Sequence, residues 1–160
     1  MRVWRIASAT TPAFDGEGAR RYGGRWTPKG LPATYTSATL SLAALERLVH
    51  TDPDVETPEL VAIAVDIGTD ITIHAIDVIR LPSNWRAYPV PEALTIVGAA
   101  RLREVAVLSV PSAVIPHERN YVLNPTHRDF VKLTLGKPEP FSFDPSTSSP
   151  PPLSHRIERR

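Results

Sequence analysis

Cysteine is absent from the chain, which excludes disulfides, a catalytic thiolate and thiolate-held metal sites. Long apolar runs are lacking too. No stretch approaches the roughly eighteen consecutive apolar residues of a membrane-spanning helix, and the N-terminus lacks the basic, apolar, small-residue order of a secretory signal. A cytoplasmic protein away from membranes is the expectation. The five histidines show no close ligand spacing, so no metal is indicated. An excess of one charge sign is missing as well: the net charge is +1, which argues against strong nonspecific binding to nucleic acid. The charge is nevertheless uneven. Residues 1–29 set six basic side chains against Asp15 and Glu17, a local +4, whereas residues 30–70 set Arg47 against seven acids, a local −6. That contrast suits a local anion site better than a broad nucleic-acid face.

What is present is enough for one domain. A chain of 160 residues with 42% hydrophobic content can bury a proper core. Six of the 17 prolines lie beyond Lys137, with a Ser/Thr cluster and a basic end. The packed domain is therefore expected over 1–146, and 147–160 as a flexible tail with little apolar surface to offset its ordering entropy.

The stretch 23–46 organises the chemistry. Arg25 follows Gly23-Gly24, where the backbone can turn tightly and approach a ligand, and its guanidinium is a planar donor fork for phosphate or carboxylate. Trp26-Thr27-Pro28-Lys29-Gly30 marks a turn, and Ala33-Thr34-Tyr35-Thr36 is β-prone, so Tyr35 belongs on or beside a strand. From Ser37 the period becomes helical. Ala38, Leu42, Leu45 and Val49 form one apolar stripe, with Glu46 at its edge, where a carboxylate is partly shielded yet reaches a cleft.

Elsewhere, residues 1–6 and 60–67 read as strands, 71–76 as a strand forming a possible hairpin with 60–67, and 77–92 as irregular. Residues 92–102 suit a helix interrupted at Gly98; 105–110, 120–123 and 130–135 suit further strands. Arg5, on the first strand, points into the basic region of Arg25 if that strand borders the loop. Ser112 follows Pro111 at a strand end, a common way to present a hydroxyl to a cleft, although turn chemistry alone accounts for it locally. His127, after Asn124-Pro125, is assigned to the turn.

Gly24-Arg25-Trp26, Tyr35-Thr36-Ser37, Leu45-Glu46, Val110-Pro111-Ser112 and Asn124-Pro125-Thr126-His127, in this order, resemble the RES domain family, named for its Arg, Glu and Ser. The resemblance covers about Trp4 to Asp144. Ala100 departs from a usual Trp, and Phe143-Asp144-Pro145 lacks a following Arg-Leu. Membership implies an α/β (α+β) single domain with a mixed or antiparallel sheet, related to ADP-ribosyltransferases. It implies a toxin paired with a helix-turn-helix antitoxin that covers the active site in a hetero-oligomer. NAD is the implied substrate, lost by hydrolysis or by phosphorolysis with inorganic phosphate as co-substrate; protein ADP-ribosylation, or a catalytically silent antitoxin-binding module, are the alternatives. On that resemblance Glu46 stabilises the oxocarbenium-like transition state, Arg25 holds the diphosphate, Tyr35 stacks on nicotinamide and Ser112 positions ribose or carboxamide. Arg5 and Asn124 are weaker candidates for binding NAD.

Overall fold

The computed structural model describes residues 1–51 and 58–144; the expected tail lies outside them. The strands are β1 (Arg2–Ser8), β2 (Thr34–Ser37), β3 (Leu60–Asp66), β4 (Ile73–Ala75), β5 (Val107–Pro111), β6 (Arg119–Leu123), β7 (Thr134–Leu135) and β8 (Glu139–Phe141). The α-helices are α1 (Glu17–Tyr22), α2 (Leu40–Val49) and α3 (Glu92–Glu104). The strands form one mixed sheet in the order β4-β5-β6-β2-β1-β3-β7, with β8 also paired to β3. None of the described helices is long and apolar enough to cross a membrane.

Alternation along the strands sorts the core into two faces. Trp4 and Ile6 of β1 lie on one face with Leu60 and Ala62 of β3, and there they pack against Ala43 and Leu40 of α2. Leu108, Val110 and Val122 of β5 and β6 share that face and pack against Leu94 and Leu102 of α3, together with Trp26 and Trp85. On the opposite face Val3 and Val65 meet Val107 and Leu123 in a single cluster. Strands from both ends of the order therefore touch, and the sheet must curl around that face. The curl is permitted by a loose joint, because β1 and β2 are in register only at Trp4↔Ser37.

Several expected elements differ. The segment 71–76 does not make a hairpin with 60–67; β4 pairs parallel to β5, at the other end of the sheet. A parallel partner is supplied by a distant segment, here across α3, and local alternation does not reveal it. The last expected strand, 130–135, is mostly a 3-10 turn, Arg128–Lys132, before β7. Helix α2 begins at Leu40, where Thr39 accepts a hydrogen bond from the Leu42 amide at 3.1 Å. Its buried side is centred on Leu42 and Ala43, while Val49 is exposed. Glu46 thus lies one turn beyond Leu42, nearer the centre of the buried face than the stripe suggested.

Gly98 does not interrupt α3. It lets the helix sit on the backbone of Trp26, whose carbonyl oxygen occupies the space a Cβ would need. Gly18, in α1, has nothing within 4 Å of that position. Gly98→Val should therefore destabilise the protein by about 1–3 kcal/mol through overpacking, whereas Gly18→Ala should stabilise it by roughly 0.5–1 kcal/mol. Urea unfolding of the two variants checks this; equal effects would remove the packing explanation of Gly98.

Candidate active site

Glu46 reaches from α2 to the sheet, with its side chain 19% exposed. Two donors meet its Oε1: Ser112 Oγ at 2.7 Å and Asn120 Nδ2 at 2.6 Å. Each donor is itself fixed. The Ser112 oxygen accepts from the amides of Val114 (3.1 Å) and Ile115 (2.9 Å), so its one hydrogen is directed to Glu46. The Asn120 Oδ1 accepts from Ser37 Oγ at 2.7 Å, which turns the amide's NH₂ toward the carboxylate. Among the described residues no hydrogen bond reaches Oε2, and His50 Nε2, one helical turn away, lies 3.6 Å from it. The carboxylate is held by one oxygen and offers the other.

Arg25 is presented by a tight turn in which the Gly24 amide donates to the Thr27 carbonyl at 2.8 Å and the Thr27 amide to Gly24 at 3.3 Å. Trp26 anchors the turn in the core at 2% exposure. The paired glycines have different reasons: Gly23 has φ +75, while a Cβ on Gly24 would meet the Tyr35 hydroxyl at 2.5 Å. That hydroxyl accepts from the Trp26 amide at 3.1 Å and shares a hydrogen bond with Thr27 Oγ1 at 3.0 Å. Burial pushes the Tyr35 pKa up, opposed by those two bonds and by Arg25. Arg25 Nη1 donates to the carbonyls of Trp85 (2.6 Å) and Ala87 (3.2 Å). Burial lowers its pKa, while the charge of Glu46 opposes the shift, so the guanidinium and the carboxylate feel one another.

The structure therefore brings together Arg25, Tyr35, Glu46 and Ser112, with roles more specific than expected. Ser112 is 0% exposed and fully bonded, so it positions Glu46 rather than a substrate group. The Tyr35 hydroxyl holds the Arg25 turn. Asn124 is not brought to the cluster: its Nδ2 donates to the Leu102 carbonyl at 2.8 Å and its Oδ1 accepts from the amide and hydroxyl of Thr126. His127 caps the following turn by accepting from the Asp129 amide, the turn role assigned to it.

Arg5 follows Trp4 and so projects to the other face of the sheet from Glu46, into the loose joint, where its Nη1 donates to the Tyr35 carbonyl at 2.9 Å. Burial first, and then the charge of Arg47, lower its pKa to about 10 against the opposing charge of Asp15. The Nε atoms of Arg5 and Arg47 are both buried without a hydrogen-bond partner among the described residues. Two repelling guanidinium groups with unused donors fit an anionic ligand.

Sequence reasoning missed Asn120, Ser37 and Arg47. Their only local signal is a polar residue inside or beside an apolar element, which is common elsewhere. Two recesses elsewhere, about 200 Å³ lined by His74, Glu104 and His127 among others and about 670 Å³ lined by Ile76, Arg80 and Val97 among others, include none of these residues. The convergent polar groups mark the site.

The family model of the RES domain matches residues 2–144. A protein named Toxin Res from Yersinia enterocolitica is 38% identical over 150 residues, 91% of this chain and 98% of that protein. Toxin Res of Photorhabdus laumondii is 42% identical over 123 residues, 75% of this chain and 78% of its own. A protein named Prs ADP-ribosylating toxin from Sphingobium sp. is 30% identical over 158 residues, 89% and 93% of the two chains. A solved structure described as the M. tuberculosis MbcT-MbcA toxin-antitoxin complex matches with a TM-score of 0.71 at 22% identity, covering 88% of this chain and 84% of that one.

Tyr35→Phe leaves the Trp26 amide without its acceptor and should cost about 1–3 kcal/mol, with faster hydrogen exchange at Trp26. Exchange unchanged at that amide would show that Tyr35 does not hold the turn. Arg47→Met removes one buried orphan donor and one repulsion, and it should raise the urea midpoint; a lower midpoint would mean that Arg47 stabilises the fold.

Proposed function

The chain belongs to the RES domain family, and from that membership we propose that it is the toxin of a toxin–antitoxin pair whose active site cleaves the nicotinamide–ribose bond of NAD. The observation that carries the reading is the Glu46 carboxylate, held at Oε1 by Ser112 and Asn120 with Oε2 left to face a ligand.

Breaking the C1′–N bond sends the bonding pair to nicotinamide, which leaves neutral, and places positive charge on the ribose ring. The leaving group needs no general acid. A fixed carboxylate oxygen beside the ring stabilises that charge, and because both of its holding donors approach the other oxygen, it does so without first reorganising. Arg25 takes the diphosphate through charge-assisted hydrogen bonds from the nitrogens left over after Nη1 is tethered. Arg5, on the face of the sheet opposite Glu46, steadies the Tyr35 backbone through its carbonyl. The acceptor that then bonds to C1′ is water, inorganic phosphate or a protein side chain.

A second reading, protein ADP-ribosylation, is favoured by the Sphingobium relative, whose name carries that activity. In both readings a helix-turn-helix antitoxin silences the toxin by covering the cleft, and the matching M. tuberculosis toxin was solved with its antitoxin.

Proton NMR of the purified protein with NAD, with and without phosphate, is the test. Nicotinamide release is expected, and Glu46→Gln should slow it by about 10²–10³-fold. Dependence on phosphate identifies phosphorolysis, and release without it identifies hydrolysis. Full turnover by a folded Glu46→Gln protein would remove Glu46 from the mechanism. Growth arrest on expression with cellular NAD unchanged would transfer the weight to protein modification.

A further inference from the structure

The segment 82–88 borders the site through its bonds to Arg25, and no role has yet been given to its charged and aromatic side chains. Its frame is rigid. Trp85 is buried in the core at 7% exposure, and the amides of Trp85 and Ala87 close two turns onto the carbonyls of Pro82 (2.9 Å) and Asn84 (2.8 Å). Arg25 grips it through the Trp85 and Ala87 carbonyls. Between those two residues stands Arg86, whose Nε donates to the Ala113 carbonyl at 2.9 Å, in the turn that follows Ser112. Among the described residues Arg86 makes no other side-chain hydrogen bond, so its two terminal nitrogens are available. Immediately after Ala87 comes Tyr88, 89% exposed.

Two features of this arrangement point to a ligand. Arg86 is flanked by the two residues whose carbonyls hold Arg25, and its charge acts on Arg25 after the larger effects of burial, Glu46 and Tyr35, so two guanidinium groups share one border of the site. The Tyr88 ring, two residues along from Arg86, also stands almost fully in water. Paired guanidinium groups match the oxygens of a diphosphate, and a neighbouring exposed ring is a platform for a nucleobase.

We propose that Arg86 and Tyr88 form the adenylate side of the substrate site, with Arg86 joining Arg25 on the diphosphate and Tyr88 stacking on the adenine. This rests on the NAD reading and deepens it by separating the two halves of the substrate. Glu46 serves the nicotinamide ribose, and the 85–88 segment serves the nucleotide that stays with the product.

The test has two parts. Calorimetric titration with ADP-ribose requires no turnover; Tyr88→Ala and Arg86→Ala should each weaken binding about 10-fold, while Tyr88→Trp keeps it. Where NAD is cleaved, the ratio of kcat/KM for NAD to that for nicotinamide mononucleotide, which has no adenylate, should fall about 10-fold in Tyr88→Ala. Tyr88 is exposed, so its replacement leaves the fold intact. Weakened ADP-ribose binding in a protein that cleaves no NAD would uphold the subsite and sink the cleavage reading. Unchanged affinity in both alanine variants, or no ADP-ribose binding by the parent protein, would overturn the subsite.

Discussion

The bond pair at Glu46 Oε1 is the constraint on which the site depends. A carboxylate moved out of water loses hydration worth several kcal/mol and must recover it from donors placed in advance. Here the donors come from two different strands, β5 through the turn at Ser112 and β6 through Asn120, and each is fixed by a further hydrogen bond. Helix α2 is therefore seated both by its apolar side against β1 and β3 and by an acid bound to the other half of the sheet. One interaction ties α2 to the second half of the sheet and fixes the direction of the other carboxylate oxygen.

The neighbouring arginines illustrate the opposite economy. Arg5, Arg25 and Arg119 all have pKa values lowered chiefly by burial. Arg119 is compensated, donating to the carbonyls of Ile76 and Ser109 and to the Ser109 hydroxyl. Arg5 and Arg47 are not, each keeping a buried Nε unused. A protein selected for stability alone would replace such a pair by apolar residues; keeping it is understandable where an anion must be received.

How much was legible in the sequence follows from the range of each interaction. Arg25 announces itself because the glycines before it and the turn after it are contiguous, and Glu46 because a helical period surrounds it. Ser112 is visible as a hydroxyl at a strand end, although its role is to orient the acid. Asn120 and Ser37 carry no such mark, since their meaning comes from β2–β6 pairing across more than eighty positions. The parallel placement of β4 failed for the same reason. Short-range alternation specifies a strand and its faces, while the partner is chosen by the rest of the chain. Asn124 was misleading because its motif is conspicuous, yet its amide is consumed in holding the Asn-Pro turn to the end of α3.

That long reach also bears on the order in which the protein comes into being. Glu46 and its two donors are separated by 66 and 74 residues, and β2 waits longer still for β6. A chain leaving the ribosome at roughly 5–20 residues per second carries Glu46 and the Arg25 turn for several seconds before the strands that organise them exist. Contacts of such separation also form slowly once they are possible. The site is therefore assembled late and all at once. A partly made chain has no oriented carboxylate, which leaves an interval during synthesis in which a partner can meet the nascent protein before it is competent.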